Sequence, residues 1–285
     1  MSERSFDSAV LDRLRQTRGF VFDMDGTLVL GDKRNYGLNP LPGAIELVTL
    51  LGKRGTPFAI FTNGTTRAPE TYAATLREAG FALPDEAMLT PASSAVSVFL
   101  RKNYRKVMVL GGEGLTKPLQ QVGIETVPPV GRPVVDAVMV GWFREFTMES
   151  LEAAVYAVWN GATLYSASQA LFFATAEGKT LGTSRAIAVM ISDLTGARIN
   201  NVGKPTLDAL RCAAQRLNLK MRDLAVVGDD PALEVPMAHR GRSLAISVAT
   251  GLAGLDAFDH LPVEKQPHLA LTGVDELLSL YRDMP

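Results

Sequence analysis

Cysteine is almost absent. One residue, Cys212, stands in a chain of 285, which excludes an internal disulfide and any thiolate-rich zinc site. It lies in Leu210-Arg211-Cys212-Ala213-Ala214, a helical stretch where a small core residue is expected rather than a nucleophile. Net charge is also nearly absent. The 29 basic and 30 acidic residues leave a formal −1, and no bulk electrostatic case remains for nucleic acid or an anionic membrane as partner. The segment Met1–Arg18 mixes charges and lacks a long apolar run, so neither a signal peptide nor a spanning helix is expected, and a cytoplasmic address follows by default. The three histidines, His239, His260 and His268, lack metal-ligand spacing and are expected to be structural or solvated.

The chain is otherwise ordinary globular material, 47% apolar and 21% charged. Its length fits one large domain or two smaller ones, at roughly 100–200 residues per domain. It is organised around residues 19–31. Phe20-Val21-Phe22 is apolar without alternation, as suits a strand buried on both faces of a parallel sheet. The run stops at Asp23 and Asp25, with Gly26 just after. Carboxylates at the end of a buried strand are costly unless a cation or hydrogen-bond donors meet them, and ligands of open α/β sheets bind at the carboxyl ends of the strands. On that ground the stretch reads as an active site with a divalent metal. A strand ending in a solvated Asp-Gly turn fits the same four residues.

The same grammar recurs. A short amphipathic helix is expected over 5–16, and another opens at Pro42-Gly43-Ala44. Phe58-Ala59-Ile60-Phe61 runs into Thr62-Asn63-Gly64-Thr65-Thr66 and then a helix over about 68–79, with a further helix over 91–102. Hydroxyls, an amide and backbone N–H groups at a helix start form an anion cradle; Thr65 or Thr66 serves equally as an N-cap. From 104 a self-contained α/β set follows, with strands at 107–110, 134–140 and 163–166 and helices at 114–121 and 148–159. We therefore expect residues 1–103 and 199–285 to form a catalytic core, with 104–198 an inserted α/β domain hinged at 101–106 and 196–200. Gly111-Gly112-Glu113-Gly114-Leu115-Thr116-Lys117 has the spacing of neither phosphate-loop motif and reads as a tight strand-to-helix turn.

After the insert, Gly203-Lys204-Pro205 precedes a helix near Thr206, and Leu224-Ala225-Val226-Val227-Gly228 ends in Asp229-Asp230, with Glu234 further on. Taken alone, Lys204 reads as a solvated lysine. Apolar runs at 244–248 and 269–271 and a closing helix at 274–281 complete the expected sheet. If the strands ending in Asp23/Asp25, Thr62/Asn63 and Asp229/Asp230 are neighbours, their ends form one site. Its hard oxygen donors favour Mg²⁺, and a carboxylate nucleophile, a second carboxyl and a lysine suit phosphoryl transfer.

The sequence resembles the haloacid dehalogenase superfamily of phosphatases over nearly its whole length, in four motifs: Phe22-Asp23-Met24-Asp25-Gly26-Thr27-Leu28, Thr62-Asn63-Gly64, Gly203-Lys204-Pro205, and Gly228-Asp229-Asp230 with Glu234. The position of the insert, and Val109-Leu110-Gly111-Gly112-Glu113-Gly114-Leu115 within it, look like class IIA, which contains the NagD and p-nitrophenyl phosphatases. The resemblance implies an α/β, Rossmann-like three-layer core with a parallel sheet and an inserted α/β cap. It implies a Mg²⁺-dependent phosphomonoester hydrolase acting on a small phosphorylated metabolite through an aspartyl-phosphate. By it Asp23 is nucleophile and metal ligand, Asp25 general acid/base and metal ligand through its carbonyl, and Asp229 a metal ligand. Thr62, Asn63 and Lys204 hold the phosphoryl group, and Lys204 also holds the nucleophile. Cap-mediated homodimers are familiar in this subclass.

The chain departs from the subclass at Glu234, where aspartate is usual, so that Glu234 or Asp230 takes the outer shell of the metal. It departs also in the cap, at Gly141-Trp142-Phe143 and Ala167-Ser168-Gln169-Ala170. Ser168, Gln169, Phe172 and Phe173 are therefore candidate substrate residues in a less polar pocket, with Phe172 and Phe173 as plain cap core the competing reading. Two other functions fit: a non-catalytic binder or regulator of phosphorylated metabolites, and a phosphotransferase to an acceptor alcohol.

Overall fold

The structure is a computed structural model that describes residues 6–31, 38–175, 178–251, 254–262 and 265–284. By density of contact the chain divides into two compact units. One comprises Met1–Thr62, Ala73–Met88 and Leu210–Pro285, the other Asn63–Tyr72 and Leu89–Ala209.

The first unit is built on a six-stranded sheet in the order Leu269–Leu271, Leu244–Val248, Leu224–Gly228, Gly19–Phe22, Phe58–Phe61, Met88–Leu89. Gly19–Phe22 is central, parallel to Leu224–Gly228 on one side and to Phe58–Phe61 on the other. Every residue of Gly19–Phe22 and Leu224–Gly228 is buried, which is why these runs carry no polar alternation. Side chains alternate faces along a strand, so Phe20 and Phe22 share one face. Their rings stack at 5.6 Å, and Tyr281 of the closing helix Val274–Arg282 meets Phe20 edge-on at 5.3 Å. Arg54 follows the helix Ala44–Lys53 and donates to the carbonyls of Tyr281 and Arg282 at 2.8 and 2.9 Å, satisfying acceptors that a helix C-terminus leaves open. Gly19 begins the central strand because a Cβ there would lie 2.6 Å from Leu219 and 2.9 Å from the Pro57 carbonyl oxygen.

The second unit holds a five-stranded parallel sheet in the order Asn200–Asn201, Thr163–Ser166, Ala137–Val140, Lys106–Leu110, Glu125–Val127. Lys106–Leu110 shows how it is covered. Val107 and Val109 enter a cluster with Phe99, Leu115, Leu119 and Tyr165, whereas Met108 and Leu110 enter another with Ala154, Val158, Ala188 and Ile191. The first cluster is completed by the helices Pro91–Arg101 and Glu113–Gln121, the second by Met148–Trp159 and Thr183–Thr195. Strands covered on both faces read as unbroken apolar runs.

Three details differ from the sequence-based expectation. Helix Pro91–Arg101 packs with the second unit because Ala92, Ala95, Val98 and Phe99 are part of its core, so that unit extends beyond the 104–198 insert. The strand expected from 134 starts at Ala137. Val134 is exposed, and the Asp136 carboxylate is occupied by the backbone N–H groups of Arg105 and Lys106 at 2.7 and 2.9 Å. Between Ser166 and Asn200 lie an antiparallel hairpin, Phe172–Thr175 with Gly178–Leu181, and the helix Thr183–Thr195. Gly196, at φ 71°, closes that helix as a left-handed cap. Among the described residues no helix is long and apolar enough to cross a membrane.

Candidate active site

In the first unit the candidate residues leave one edge of the sheet. The register pairs Phe22 with Val227, and the Asp23 N–H donates to the Val227 carbonyl at 2.8 Å. Asp23 and Asp229 therefore emerge at the carboxyl ends of adjacent strands. Both are buried, at 9% and 4% exposure, whereas Asp25 is exposed. The difference follows from the turn. Leu28 and Val29 donate their N–H groups to the Met24 carbonyl, and Gly26 donates to Val29 at 2.8 Å, so the chain curls back and carries Asp25 outward. Thr27 is fully buried, and its Oγ1 donates to Oδ2 of Asp23 at 3.4 Å. Thr62, at the end of Phe58–Phe61, donates from Oγ1 to Oδ2 of Asp25 at 3.4 Å.

Glycine shapes this edge at two places. Gly26 has φ +81°, a left-handed conformation that favours glycine, and a Cβ there would lie 2.5 Å from Oδ2 of Asp229. Gly251 also presses on Asp229, and the preceding Thr250 donates from Oγ1 to the Gly26 carbonyl at 2.6 Å. The sequence reading did not include Thr250 and Gly251. Their signal was there, since they follow the buried strand Leu244–Val248 in the pattern of small polar residues already seen after Phe61.

These residues fit a hard divalent cation. The side-chain donors are two buried aspartates, and Gly26 and Gly251 leave Asp229 flanked by space that a side chain would fill. Among the described residues no three His, Cys, Asp or Glu side chains stand together as a metal cage. Two carboxylates alone leave coordination sites for water and substrate oxygen, a donor set that Mg²⁺ accepts more readily than a cation needing a closed, all-protein cage.

Asp230 and Glu234 occupy different settings. The Asp230 carboxylate accepts from the Ala232 N–H at 2.8 Å, forming the turn into the helix Glu234–Gly241. Glu234 is buried, and Gly228 makes room for its side chain: a Cβ there would lie 2.5 Å from Cδ and 2.7 Å from Oε2.

In the second unit Asn63 and Lys204 meet. Lys204 is buried, at 2% exposure. Its backbone N–H donates to Asn63 Oδ1 at 2.9 Å, and Asn63 Nδ2 donates to its carbonyl at 3.2 Å. Gly203 lies against this pair, and a Cβ on it would come within 2.7 Å of Asn63 Oδ1.

The positions singled out in the sequence as candidate substrate residues, and their neighbours, have local partners. The Trp142 N–H donates to Thr65 Oγ1 at 2.9 Å, and the Phe143 N–H to Thr183 Oγ1 at 3.0 Å. Ser168 Oγ accepts from the Ala170 N–H at 3.1 Å, and Gln169 is exposed. Phe172 and Phe173 pair through their backbones with Leu181 and Thr180; their side chains lie outside the described residues. The glycine-rich segment from Gly111 is a strand-to-helix turn, with Gly114 packed against the backbone of Thr65 and Arg67. Cys212 is buried in the helix Leu207–Arg216.

Comparison with known proteins gives a consistent result. Residues 20–125 match the family model described as haloacid dehalogenase-like hydrolase. An acid sugar phosphatase of Staphylococcus aureus (strain USA300) is 28% identical over 244 residues, 85% of this chain and 90% of that protein. A hypothetical protein of Pyrococcus horikoshii OT3 superposes with a TM-score of 0.82 at 28% identity, covering 92% of this chain and 99% of the other. A thermostable double-mutant NPPase of Geobacillus stearothermophilus gives 0.79 at 26% identity, covering 92% and 98%.

Proposed function

We propose, from the premise that this chain belongs to the haloacid dehalogenase-like hydrolases and is a phosphatase, that it hydrolyses phosphomonoesters of small metabolites with Mg²⁺ through an aspartyl-phosphate on Asp23. The observation that carries the reading is the edge where Asp23, Asp25 and Asp229 leave adjacent strands, two of them buried and one exposed.

The roles follow from those settings. A buried carboxylate steadied by Thr27 is oriented for attack. Asp23 attacks phosphorus, the bond to the ester oxygen breaks, and Asp25 gives its proton to the leaving alcohol. Asp25 then takes a proton from the water that attacks phosphorus, releasing inorganic phosphate and restoring Asp23. An exposed carboxyl suits this exchange, and the Thr62 hydroxyl beside it holds a phosphoryl oxygen. Asp23, Asp229 and the Asp25 carbonyl would hold Mg²⁺, which supplies positive charge to the phosphoryl oxygens. Lys204 supplies a further positive charge, with Asn63 beside it.

We assign the outer shell of the metal to Glu234, because the Asp230 carboxylate is engaged in its turn. Residues 104–198 are the proposed cap, with a homodimer through it and a cytoplasmic address. Nucleic acid is not expected as a partner at a net charge of −1. The sugar phosphates implied by the name of the S. aureus relative head the proposed substrates.

The test is phosphate release from a panel of sugar, nucleotide, cofactor and p-nitrophenyl phosphates, with Mg²⁺ and with chelator, on wild type and Asp23→Asn. Metal-dependent turnover that drops by about 10³-fold or more in the variant is expected. Ligand binding without turnover in the wild type would instead make the chain a binding protein.

A further inference from the structure

We infer that the side chain of Asn63 is a positioning residue for Lys204, acting through the lysine backbone; the inference rests on the hydrolase reading above. Both ends of the Asn63 amide are engaged with one residue 141 positions along the chain. Oδ1 accepts from the Lys204 N–H at 2.9 Å, and Nδ2 donates to the Lys204 carbonyl at 3.2 Å. An amide that meets one backbone N–H and one carbonyl has a defined orientation, because rotating it by half a turn would set donor against donor and acceptor against acceptor. The Asn63 amide thus fixes the backbone of Lys204 in two directions.

The neighbourhood supports that fixed backbone. Gly203 carries no Cβ where one would lie 2.7 Å from Oδ1. Its carbonyl accepts from Thr206 Oγ1 at 2.8 Å and from Asn201 Nδ2 at 3.4 Å. Thr206 Oγ1 in turn accepts from the Ala209 N–H at 3.2 Å, at the start of the next helix. Lys204, with a side chain of four rotatable methylenes, is 2% exposed. Long lysine stems carry large rotamer entropy, so an ammonium delivered to one point needs an anchored backbone beneath it. Asn63 is the side chain that anchors it on both polar groups. Thr62, one residue earlier, keeps a hydroxyl for the phosphoryl group, and the two neighbours divide the work.

The inference makes Asn63 and Lys204 one functional unit, so their losses must not multiply. Steady-state kinetics on p-nitrophenyl phosphate would compare Asn63→Ala, Lys204→Ala and the double variant, with Asn63→Asp as a variant that keeps the acceptor facing the Lys204 N–H. Asn63→Ala is expected to lower kcat/KM by about 10- to 100-fold, divided between kcat and KM in the same proportion as Lys204→Ala. The double variant is expected within about twofold of Lys204→Ala alone. Losses that multiply in the double variant, or Asn63→Ala with wild-type kinetics, overturn the inference. Should Asn63→Ala not fold, the same cycle with Asn63→Asp decides. Should the wild type release no phosphate from any ester, the hydrolase reading fails. The cycle is then run on calorimetric binding of orthophosphate with Mg²⁺, where the same non-multiplying pattern is expected, and a wild type that binds no orthophosphate overturns the inference as well.

Discussion

Gly26 passes Asp229 with nothing between them: a methyl group on Gly26 would lie 2.5 Å from Oδ2 of the aspartate. The turn that carries Asp25 and the strand end that carries Asp229 are therefore fitted by the absence of a side chain. Gly26→Ala adds that methyl at a φ of +81°. We expect it to destabilise the protein by about 1–3 kcal/mol and to raise the Mg²⁺ concentration needed for half-maximal turnover. Thermal melts and a metal titration measure the two effects. A variant unchanged in both would show that the turn gives way freely.

Chelation is expected to abolish turnover without unfolding, because the buried cores of both units are built from apolar side chains and not from metal ligands. Mg²⁺ should restore activity, and Mn²⁺ should substitute because it takes the same oxygen donors. Activity that survives chelation would remove the metal from the reaction.

Glu234 and Asp230 should separate on mutation. Asp230→Ala removes the acceptor for the Ala232 N–H, an exposed turn bond whose loss is expected to cost about 1 kcal/mol and to leave metal affinity near wild type. Glu234→Gln keeps the buried volume and removes the charge, and is expected to weaken Mg²⁺ about 10-fold or more, as loss of an outer-shell partner does. Calorimetric titration of the metal into both variants decides between them; equal affinities would return the outer shell to neither.

His268 predicts a stability loss in mild acid. Its Nδ1 accepts from the Ala245 N–H at 2.9 Å, and its ring lies 4.6 Å from that of His239. Burial first, then the charges of Arg13 and His239, lower its pKa from 6.5 to about 4. The unfolded chain binds this proton more readily, so the contribution is present above 6.5 and is lost as the pH falls from there toward 4. Between pH 7.5 and 4.5 the wild-type melting temperature should fall more than that of His268→Gln, by on the order of 2 °C once solvent screening at a half-buried ring is allowed for. Parallel curves would sink the idea.

The parts of the fold legible in the sequence are those where burial on both faces forces an unbroken apolar run. Phe58–Phe61 and Leu269–Leu271 stand where their runs predict, as do Leu244–Val248, interrupted only by Ser247, and Thr163–Ser166, where polar ends flank Leu164 and Tyr165. Phe172 and Phe173 read only as pocket or core candidates and not as a strand, because the short apolar run Leu171-Phe172-Phe173-Ala174 is followed by Thr175-Ala176-Glu177-Gly178-Lys179 without a standard two-residue turn pair. The helix Thr183–Thr195 was legible only through Ala188, Ile191 and the closing Gly196. Asp23, Asp25 and Asp229 announced themselves as charges ending buried strands. The pairing of Asn63 with Lys204 did not, because no local period connects positions 141 apart. Thr250 and Gly251 lacked a charge to draw attention, although they touch the same aspartate and turn.

The Asn63–Lys204 pairing has a consequence for how such a chain can diversify. Apart from Ala73–Met88, which packs with the first unit, the stretch between these two positions is an excursion whose base is fastened by two hydrogen bonds. A segment closed at its base can lengthen, shorten or be exchanged for another without altering the spacing of the residues at its mouth. Recombination could graft a foreign segment between them and leave the lysine in register, so that new specificities arise by exchange of the excursion while the chemistry is inherited intact.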